Sequence, residues 1–106
     1  MNEVKLIGNV GSVQYDNQKN GKEGCLVVSL ATNKKWLDKA GNECSKSEWH
    51  KVVIFGQQVE WIRPKILQGV KLFVSGELVY REYEDSQKIK RLSAEVIANI
   101  ILVNHK

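Results

Sequence analysis

The stretch EWHKVVIFGQ, from Glu48 to Gln57, decides the fold of this chain, because it predicts a β-strand with large apolar side chains on both faces. One face carries His50, Val52 and Ile54. The other face carries two aromatic rings and a lysine, in the set Trp49, Lys51, Val53 and Phe55. A small β-domain needs only one apolar face of a strand for its core, so the second face is predicted to meet something outside that core. The alternative places Trp49 and Phe55 in the core, with Lys51 reaching out to solvent.

Four further strands and one helix are predicted on either side of this stretch. Alternation and turn signals place the strands at Val4 to Tyr15, Cys25 to Trp36, Lys71 to Tyr83 and Lys88 to Val103. The connections are predicted as a turn segment at Asp16 to Gly24, a polar loop at Leu37 to Ser47 and a hairpin loop at Glu84 to Gln87. A helix is predicted at Gln58 to Gln68, where Pro64 either introduces a kink or follows a turn and restarts a short helix. Three strands, one short helix and two strands is the order of an all-β, five-stranded OB-fold barrel.

Length and charge restrict the class of protein. The 106 residues fit one domain, which would span residues 1–106. Sixteen Lys and Arg oppose twelve Asp and Glu, and the net charge of +4 indicates a modest preference for polyanionic partners. Glu3 lies where a secretory signal would carry positive charge, and the longest apolar runs are too short to cross a bilayer. Cys25 and Cys44 form no CxxC pair and are expected to be reduced thiols. The expected location is therefore the cytoplasm, with no membrane partner.

Aromatic side chains stand beside cations at several predicted strand positions. Trp36 follows Lys34 and Lys35, and Arg81 shares a predicted face with Tyr83. Flat rings stack on bases and cations neutralise phosphates, and an unpaired nucleic-acid strand offers both. A solvated basic face is the alternative for each cluster. The candidate nucleic-acid-binding residues are Trp36, Trp49, Phe55, Tyr83, Lys34, Lys35, Lys51, Arg81, Lys88, Lys90 and Arg91.

The sequence contains no recognisable catalytic or metal-binding grouping. It has no paired carboxylates in a plausible site, no nucleophile with a base and no phosphate-binding loop. His50 and His105 have no metal-ligand partners at useful spacing. We therefore expect no catalytic residues, no metal and no cofactor. The chain is predicted to be a binding protein rather than an enzyme.

Several longer motifs resemble a known family. NEVKLIGNVG (Asn2 to Gly11), SLATNKKWLDKAGNE (Ser29 to Glu43) and SEWHKVVIFG (Ser47 to Gly56) are similar to the DNA-binding domain of bacterial single-stranded DNA-binding proteins, the SSB family. VSGELVYREYED (Val74 to Asp85) and AEVIAN (Ala94 to Asn99) continue the match in order. The resemblance covers nearly the whole chain, and EWHKVVIFG is its most specific part.

The resemblance implies an OB-fold, usually assembled as a homotetramer, around which single-stranded DNA wraps with little sequence preference in replication, recombination or repair. The stacking aromatics of the family match Trp36, Trp49 and Phe55, and a further tryptophan of the family matches Tyr83. The opening strand matches the segment that members use for pairing between subunits, and His50 matches a histidine associated with subunit contacts. The implied subunit-interface residues are Val4, Leu6, Gly8, Val10 and His50.

The sequence departs from the family pattern after its last strand. Members usually continue into a flexible linker with an acidic tip that recruits replication and repair proteins, whereas this sequence stops at Asn104-His105-Lys106. We expect either a naturally tailless member, carried by a bacterium, a phage or a mobile element, or a shortened chain. Replication or repair proteins are candidate partners, but this sequence shows no tail that would recruit them. The alternative function is that of a small OB-fold primosome-type protein, usually dimeric, that bridges replication proteins.

Overall fold

Five long strands pair edge to edge in the computed structural model, which describes residues 1–16 and 24–104. The strands are β1 (Val4–Asp16), β2 (Cys25–Leu37), β3 (Glu43–Phe55), β4 (Lys71–Glu84) and β5 (Lys90–Asn104), and the helix α1 (Gln58–Ile62) lies between β3 and β4. The strands close into one barrel in the order β1-β2-β3-β5-β4. The predicted five-stranded OB-fold barrel is confirmed. The turn segment predicted at Asp16 to Gly24 falls mostly on residues 17–23, outside the described residues.

Closure of the barrel depends on two pairings between strands that are distant in sequence. The first half of β1, from Val4 to Asn9, pairs antiparallel with β4, and its second half pairs with β2. β3 and β5 pair in parallel over a short segment at Val52 and Val53. This parallel segment places the end of β3 beside the middle of β5, so side chains of β3, β5 and β4 share one surface.

The core fills the barrel with aliphatic side chains, as the alternation in β3 predicts. Val52 and Ile54 are fully buried in it, together with Leu26, Leu30 and Leu72. Val59 of α1 and Ile66, which follows the helical segment, are buried in the same cluster. The face of β3 that carries Val52 and Ile54 is therefore the core face, and the opposite face is left for other contacts.

The helical segment is shorter than predicted and is divided before Pro64. α1 ends at Ile62, a 3-10 turn covers Arg63–Lys65, and Ile66 already has extended backbone angles. Proline has no N–H to continue the helical hydrogen bonds and its ring clashes with the preceding turn. The structure matches neither alternative for Pro64 as stated, because the helix ends before Pro64, a 3-10 turn contains it, and no helix continues to Gln68. No helix among the described residues is long and apolar enough to span a membrane.

The β2–β3 hairpin is longer than predicted, because the region assigned to a polar loop is mostly strand. β3 begins at Glu43, and pairing with β2 continues without a register shift to Leu37. The connecting turn is held by Asp38 Oδ1, which accepts hydrogen bonds from the backbone N–H groups of Ala40 and Asn42 at 3.0 and 2.8 Å. The loop predicted from Leu37 to Ser47 is confirmed only at its centre, residues 38–42, and was wrong at its two ends, which belong to β2 and β3. This end of the hairpin is exposed on both faces. Both faces can therefore carry polar residues, and the alternation of polar and apolar residues that indicates a strand is missing.

Two β-bulges exchange the inner and outer faces along single strands. On β1 the register shifts between Val10 and Ser12, at Gly11. On β5 the register skips Asn99, since Ala98 pairs with Gly76 and Ile100 pairs with the preceding residue of β4. A bulge adds one residue to one strand and bends it. Beyond the second bulge Ile100 is exposed although Ala98 is buried, so the even alternation along β5 does not mark one buried face.

Candidate nucleic-acid interface

Trp49 and Phe55 lie outside the barrel core. Their side chains are 61% and 43% exposed, whereas Val52 and Ile54 between them are fully buried. The alternative that places both rings in the core was therefore wrong. Lys51 lies between the two rings on the same face of β3. Beside the Trp49 ring is an open groove of about 280 Å³, lined in part by Ser12, Gln14 and Ser29.

The Trp49 ring is seated on the bulge of β1. A Cβ atom built on Gly11 would collide with Cζ3 of the indole and would lie 2.8 Å from Cη2. Only a residue without a side chain lets the six-membered part of the indole approach the β1 backbone so closely. The glycine thus fixes where this ring lies on the surface, a role that the sequence analysis did not assign to it.

The side of the sheet on which Trp49 lies extends from β3 across β5 to β4. Tyr83 of β4 pairs with Arg91 of β5, and Arg81 pairs with Ser93, so these side chains point to the same side of the sheet. The guanidinium carbon of Arg81 lies 5.9 Å from the centre of the exposed Tyr83 ring. We call the shared surface the outer face; it carries Trp49, Lys51, Phe55, Arg81, Tyr83, Arg91 and Glu95.

Glu95 lies in the middle of the outer face and binds two of its cations. Its Oε2 atom accepts hydrogen bonds from Lys51 Nζ at 3.1 Å, Arg81 Nε at 3.0 Å and Ser93 Oγ at 3.1 Å. Burial alone would raise the pKa of Glu95. The hydrogen bonds from Lys51, Arg81 and Ser93 outweigh it, so the pKa lies below its ordinary value of 4.5. The residue is therefore a buried carboxylate at neutral pH.

A second carboxylate orders the β4–β5 loop. Asp85 Oδ1 accepts the backbone N–H groups of Gln87 and Ile89, and Oδ2 accepts Arg91 Nε at 3.0 Å. The N–H of Ile89 and the guanidinium of Arg91 lower the pKa of Asp85, despite a small opposing effect of burial. Lys88 lies in this loop with a φ of 63°. Lys90 pairs with Glu84, so it points away from the Tyr83 side of the strand pair.

Trp36 does not lie on the outer face. The β2–β3 register runs without a shift and pairs Trp36 with Cys44 and Ala31 with Trp49, so the two tryptophans point to opposite sides of the hairpin. Trp36 is exposed, and Lys34 Nζ lies 6.0 Å from the centre of its ring. Lys35 points to the same side of the β2–β3 hairpin as Trp49. The predicted set is thus divided into an outer face, a separate Trp36–Lys34 pair, Lys35 near the turn of the β2–β3 hairpin, and two lysines, Lys88 and Lys90, near the β4–β5 loop.

The residues predicted at a subunit interface are turned largely towards the barrel core. Val10 and Gly8 are buried, Val10 belongs to the core cluster, and Val4 and Leu6 pack against it. Their side chains are thus used within the barrel, and a subunit contact along this part of β1 would need its backbone or its opposite face. His50 is partly buried, and its Nε2 lies 2.8 Å from Oγ1 of Thr32.

Glu95 on the outer face and Arg63, which lies away from it, are two residues with specific contacts that sequence reasoning missed. The guanidinium carbon of Arg63 lies 3.8 Å from the centre of the Tyr15 ring, a cation–π contact between the 3-10 turn and β1. A carboxylate within the apolar AEVIAN segment was the available signal for Glu95, but its partners lie on other strands. Among residues 1–16 and 24–104, no group of three or more His, Cys, Asp or Glu is placed to hold a metal ion.

The closed barrel, with its helix between β3 and β4, defines an OB-fold protein whose exposed sheet surface carries aromatic and cationic side chains. The model of the Single-strand binding protein family matches residues 1–103. The chain belongs to this family, as the motifs predicted. Proteins of the family are DNA-binding proteins without enzymatic activity, which confirms on that ground the expectation of a non-enzyme.

Relatives and solved structures agree with this assignment. The chain is 34% identical over 99 residues to single-stranded DNA-binding protein 1 of Xylella fastidiosa, covering 92% of this chain and 73% of that protein. It is 30% identical over 112 residues to the mitochondrial single-stranded DNA-binding protein of Mus musculus, covering 99% and 74%. The structure resembles the Plasmodium falciparum SSB in its complex with ssDNA, with a TM-score of 0.85, 27% identity and coverage of 99% and 96%. It also resembles a deletion mutant of the Thermus aquaticus protein, with a TM-score of 0.83, 27% identity and coverage of 99% and 51%.

Proposed function

We propose that this protein binds single-stranded DNA with little sequence preference and shields exposed strands during replication, recombination or repair. The observation that carries the proposal is the outer face, where exposed aromatic rings and cations lie together on one sheet. Membership of the family supports it, as does the likeness to a relative described as a complex with ssDNA. A cytoplasmic location is part of the same proposal.

Bases would stack on Trp49, Phe55 and Tyr83, whose rings are exposed on the outer face. Every base has a flat π-face, so stacking tolerates any sequence and contributes about 1–3 kcal/mol for each base. Lys51 and Arg81 would contact the phosphates between stacked bases. The role of each residue follows from its exposure and charge.

Trp36 and Lys34 would form a second contact on the other side of the β2–β3 hairpin. Since Trp36 and Trp49 point to opposite sides, one strand can reach both rings only by passing around the hairpin. The DNA strand would then bend around the hairpin instead of lying across one flat surface. Short oligonucleotides should therefore occupy the outer face alone, and longer ones should also change the environment of Trp36.

The test is quenching of tryptophan fluorescence by oligo-dT. Binding should quench the emission, and the logarithm of the affinity should fall with the logarithm of salt with a slope of roughly −0.7 for each phosphate neutralised. Trp49→Ala should weaken binding by about 5- to 150-fold, the value of one stacked base. Trp61 is 72% exposed on α1, so Trp61→Ala is the matched control and should leave the affinity unchanged. An absence of quenching at low salt would refute the proposed function.

We also propose that the protein assembles as a homo-oligomer, in the form of a tetramer. An exposed apolar row supports the assembly: Ile7, Phe73 and Leu102 are register partners across β1, β4 and β5, and Ile100 lies beside them. Ile7, Leu102 and Ile100 are each more than half exposed in the single chain. A contact between copies would remove this surface from water. Light scattering should give a tetrameric mass that falls in Leu102→Lys; a monomer at micromolar concentration would contradict the assembly.

A further inference from the structure

Glu95 is the one buried charged residue in the part of the chain that the structure describes, and it lies among the proposed DNA contacts. Three donors, from Lys51, Arg81 and Ser93, converge on a single oxygen, Oε2, at distances of 3.0–3.1 Å. One oxygen that accepts two cationic donors and a hydroxyl is in the position that a phosphate oxygen would take between the same cations. The interface therefore contains an anion before DNA arrives.

The carboxylate is far less exposed than the cations that it binds. Glu95 extends from β5, which is paired on both sides at this level, with Val79 as its register partner on β4. Its side chain is 6% exposed, whereas those of Lys51 and Arg81 are 37% and 57% exposed. DNA would therefore approach the two cations from the solvent side, with the carboxylate fixed behind them.

Both cations keep donors for a phosphate while they bind Glu95. Arg81 uses only Nε for the carboxylate, which leaves its terminal nitrogens, and Lys51 has three N–H groups. Two positive charges and one negative charge give the cluster a net charge of +1. A phosphate at this cluster would gain donors for hydrogen bonds, but it would meet only half of the positive charge that the two side chains carry.

We propose that Glu95 is a fixed counter-charge of the DNA interface, which lowers its affinity for phosphate and makes that affinity less dependent on salt. This inference rests on the proposed function, because it concerns the binding of DNA at the same face. The residue acts through Lys51 and Arg81, and no contact between Glu95 and DNA is required. Its effect is to keep binding reversible where stacking and both cations would otherwise act together.

The first test is the salt dependence of oligo-dT binding by Glu95→Gln. Glutamine keeps the shape and an acceptor oxygen but removes the charge. The variant should bind more tightly at low salt, and its slope should be steeper by about 0.7 for each subunit that contacts the strand. Its advantage should shrink by about 2.6-fold between 50 and 200 mM salt for each such subunit. The matched control is Glu3→Gln, which makes the same change in charge at an ion pair with Lys5 outside the outer face and should leave the slope nearly unchanged.

A second test is rescue in a background that lacks Lys51. Lys51→Gln leaves Arg81 and Glu95 as a neutral pair and should weaken binding strongly. Adding Glu95→Gln to this variant restores a net charge of +1 and should recover part of the affinity. A structural role for Glu95 predicts the opposite result, since a second lost partner would weaken binding further. Circular dichroism and urea unfolding establish that each variant is folded.

The outcomes separate this inference from the proposed function. If the unchanged protein does not bind oligo-dT, the proposed function fails and the inference fails with it. If the protein binds but Glu95→Gln has an unchanged slope or a weaker affinity in the folded state, the inference alone is overturned. If Glu95→Gln does not fold, the same titration is made with Glu95→Ala, which also removes the charge. An unchanged or shallower slope in that folded variant overturns the inference, and a steeper slope supports it.

Discussion

Replacing Gly11 by alanine should weaken DNA binding through Trp49 alone. A methyl group at this position would overlap Cζ3 of the indole and lie 2.8 Å from Cη2, so the ring has to move. Gly11 is not among the residues with a positive φ, and alanine therefore fits its backbone without strain. Trp49 is mostly exposed, so its ring can swing away without opening the core. The substitution thus changes the position of one ring and little else.

The size of the effect follows from the contact that is displaced. Loss of one stacked base costs about 1–3 kcal/mol, which corresponds to about 5- to 150-fold in affinity. The free energy of unfolding should change by less than about 1 kcal/mol, because the core is untouched and alanine reduces the freedom of the unfolded chain. Fluorescence titration with oligo-dT measures the affinity, and urea unfolding measures the stability.

The double variant Gly11→Ala/Trp49→Ala decides whether the effect passes through the ring. If Gly11 acts only by seating Trp49, the double variant should bind DNA with the affinity of Trp49→Ala alone. Two results refute this reasoning. One is unchanged affinity of Gly11→Ala when Trp49→Ala is impaired, and the other is an additional loss in the double variant.

Three further predictions concern stability and local order. The lowered pKa of Glu95 stabilises the fold fully above pH 4.5, and this stabilisation is lost as the pH falls through the lower pKa of the folded state. Urea unfolding from pH 7 to pH 3 should therefore show that Glu95→Gln loses less of its free energy of unfolding in acid than the unchanged protein. Gly76→Ala would drive a methyl group into the backbone carbonyl of Ile97 and should cost about 1–3 kcal/mol; a normal melting temperature would contradict this. Asp85→Ala removes the acceptor for the Ile89 amide, so hydrogen exchange there should accelerate while core amides stay protected.

Strand parity in β3 could be predicted from the sequence, because the strand is regular and each face has a distinct composition. Parity separates the face of Val52 and Ile54 from the face of Trp49, but the sequence left open which face fills the core, and the burial of Val52 and Ile54 decides it. Parity fails where a strand contains a bulge. A glycine within a strand often marks a bulge, and Gly11 is such a residue, but Asn99 carries no comparable signal. That second bulge lies where Gly76 of β4 closely approaches the backbone of β5, and this contact between strands is not visible in the local sequence of β5.

The division of the candidate site could not be predicted from spacing either. A loop from Leu37 to Ser47 would leave the relative orientation of Trp36 and Trp49 open, and the sequence there is polar enough to be read as such a loop. The structure extends the hairpin instead, and its unbroken register turns the two rings to opposite sides. Glu95 was missed for a related reason. Its two cations come from β3 and β4, and only the short parallel pairing of β3 with β5 brings all three strands together.

Ion pairs within the protein affect how much of the affinity for DNA comes from base stacking and how much comes from charge. Three of the seven candidate cations already contact carboxylates, two at Glu95 and one at Asp85. These partners reduce the net positive charge at the rings, so a phosphate gains less there than the count of Lys and Arg implies. These ion pairs do not reduce the stacking of bases on the aromatic rings. We therefore expect a modest salt slope beside large losses from single ring substitutions, and the reverse pattern would mean that DNA follows the unpaired lysines instead of the outer face.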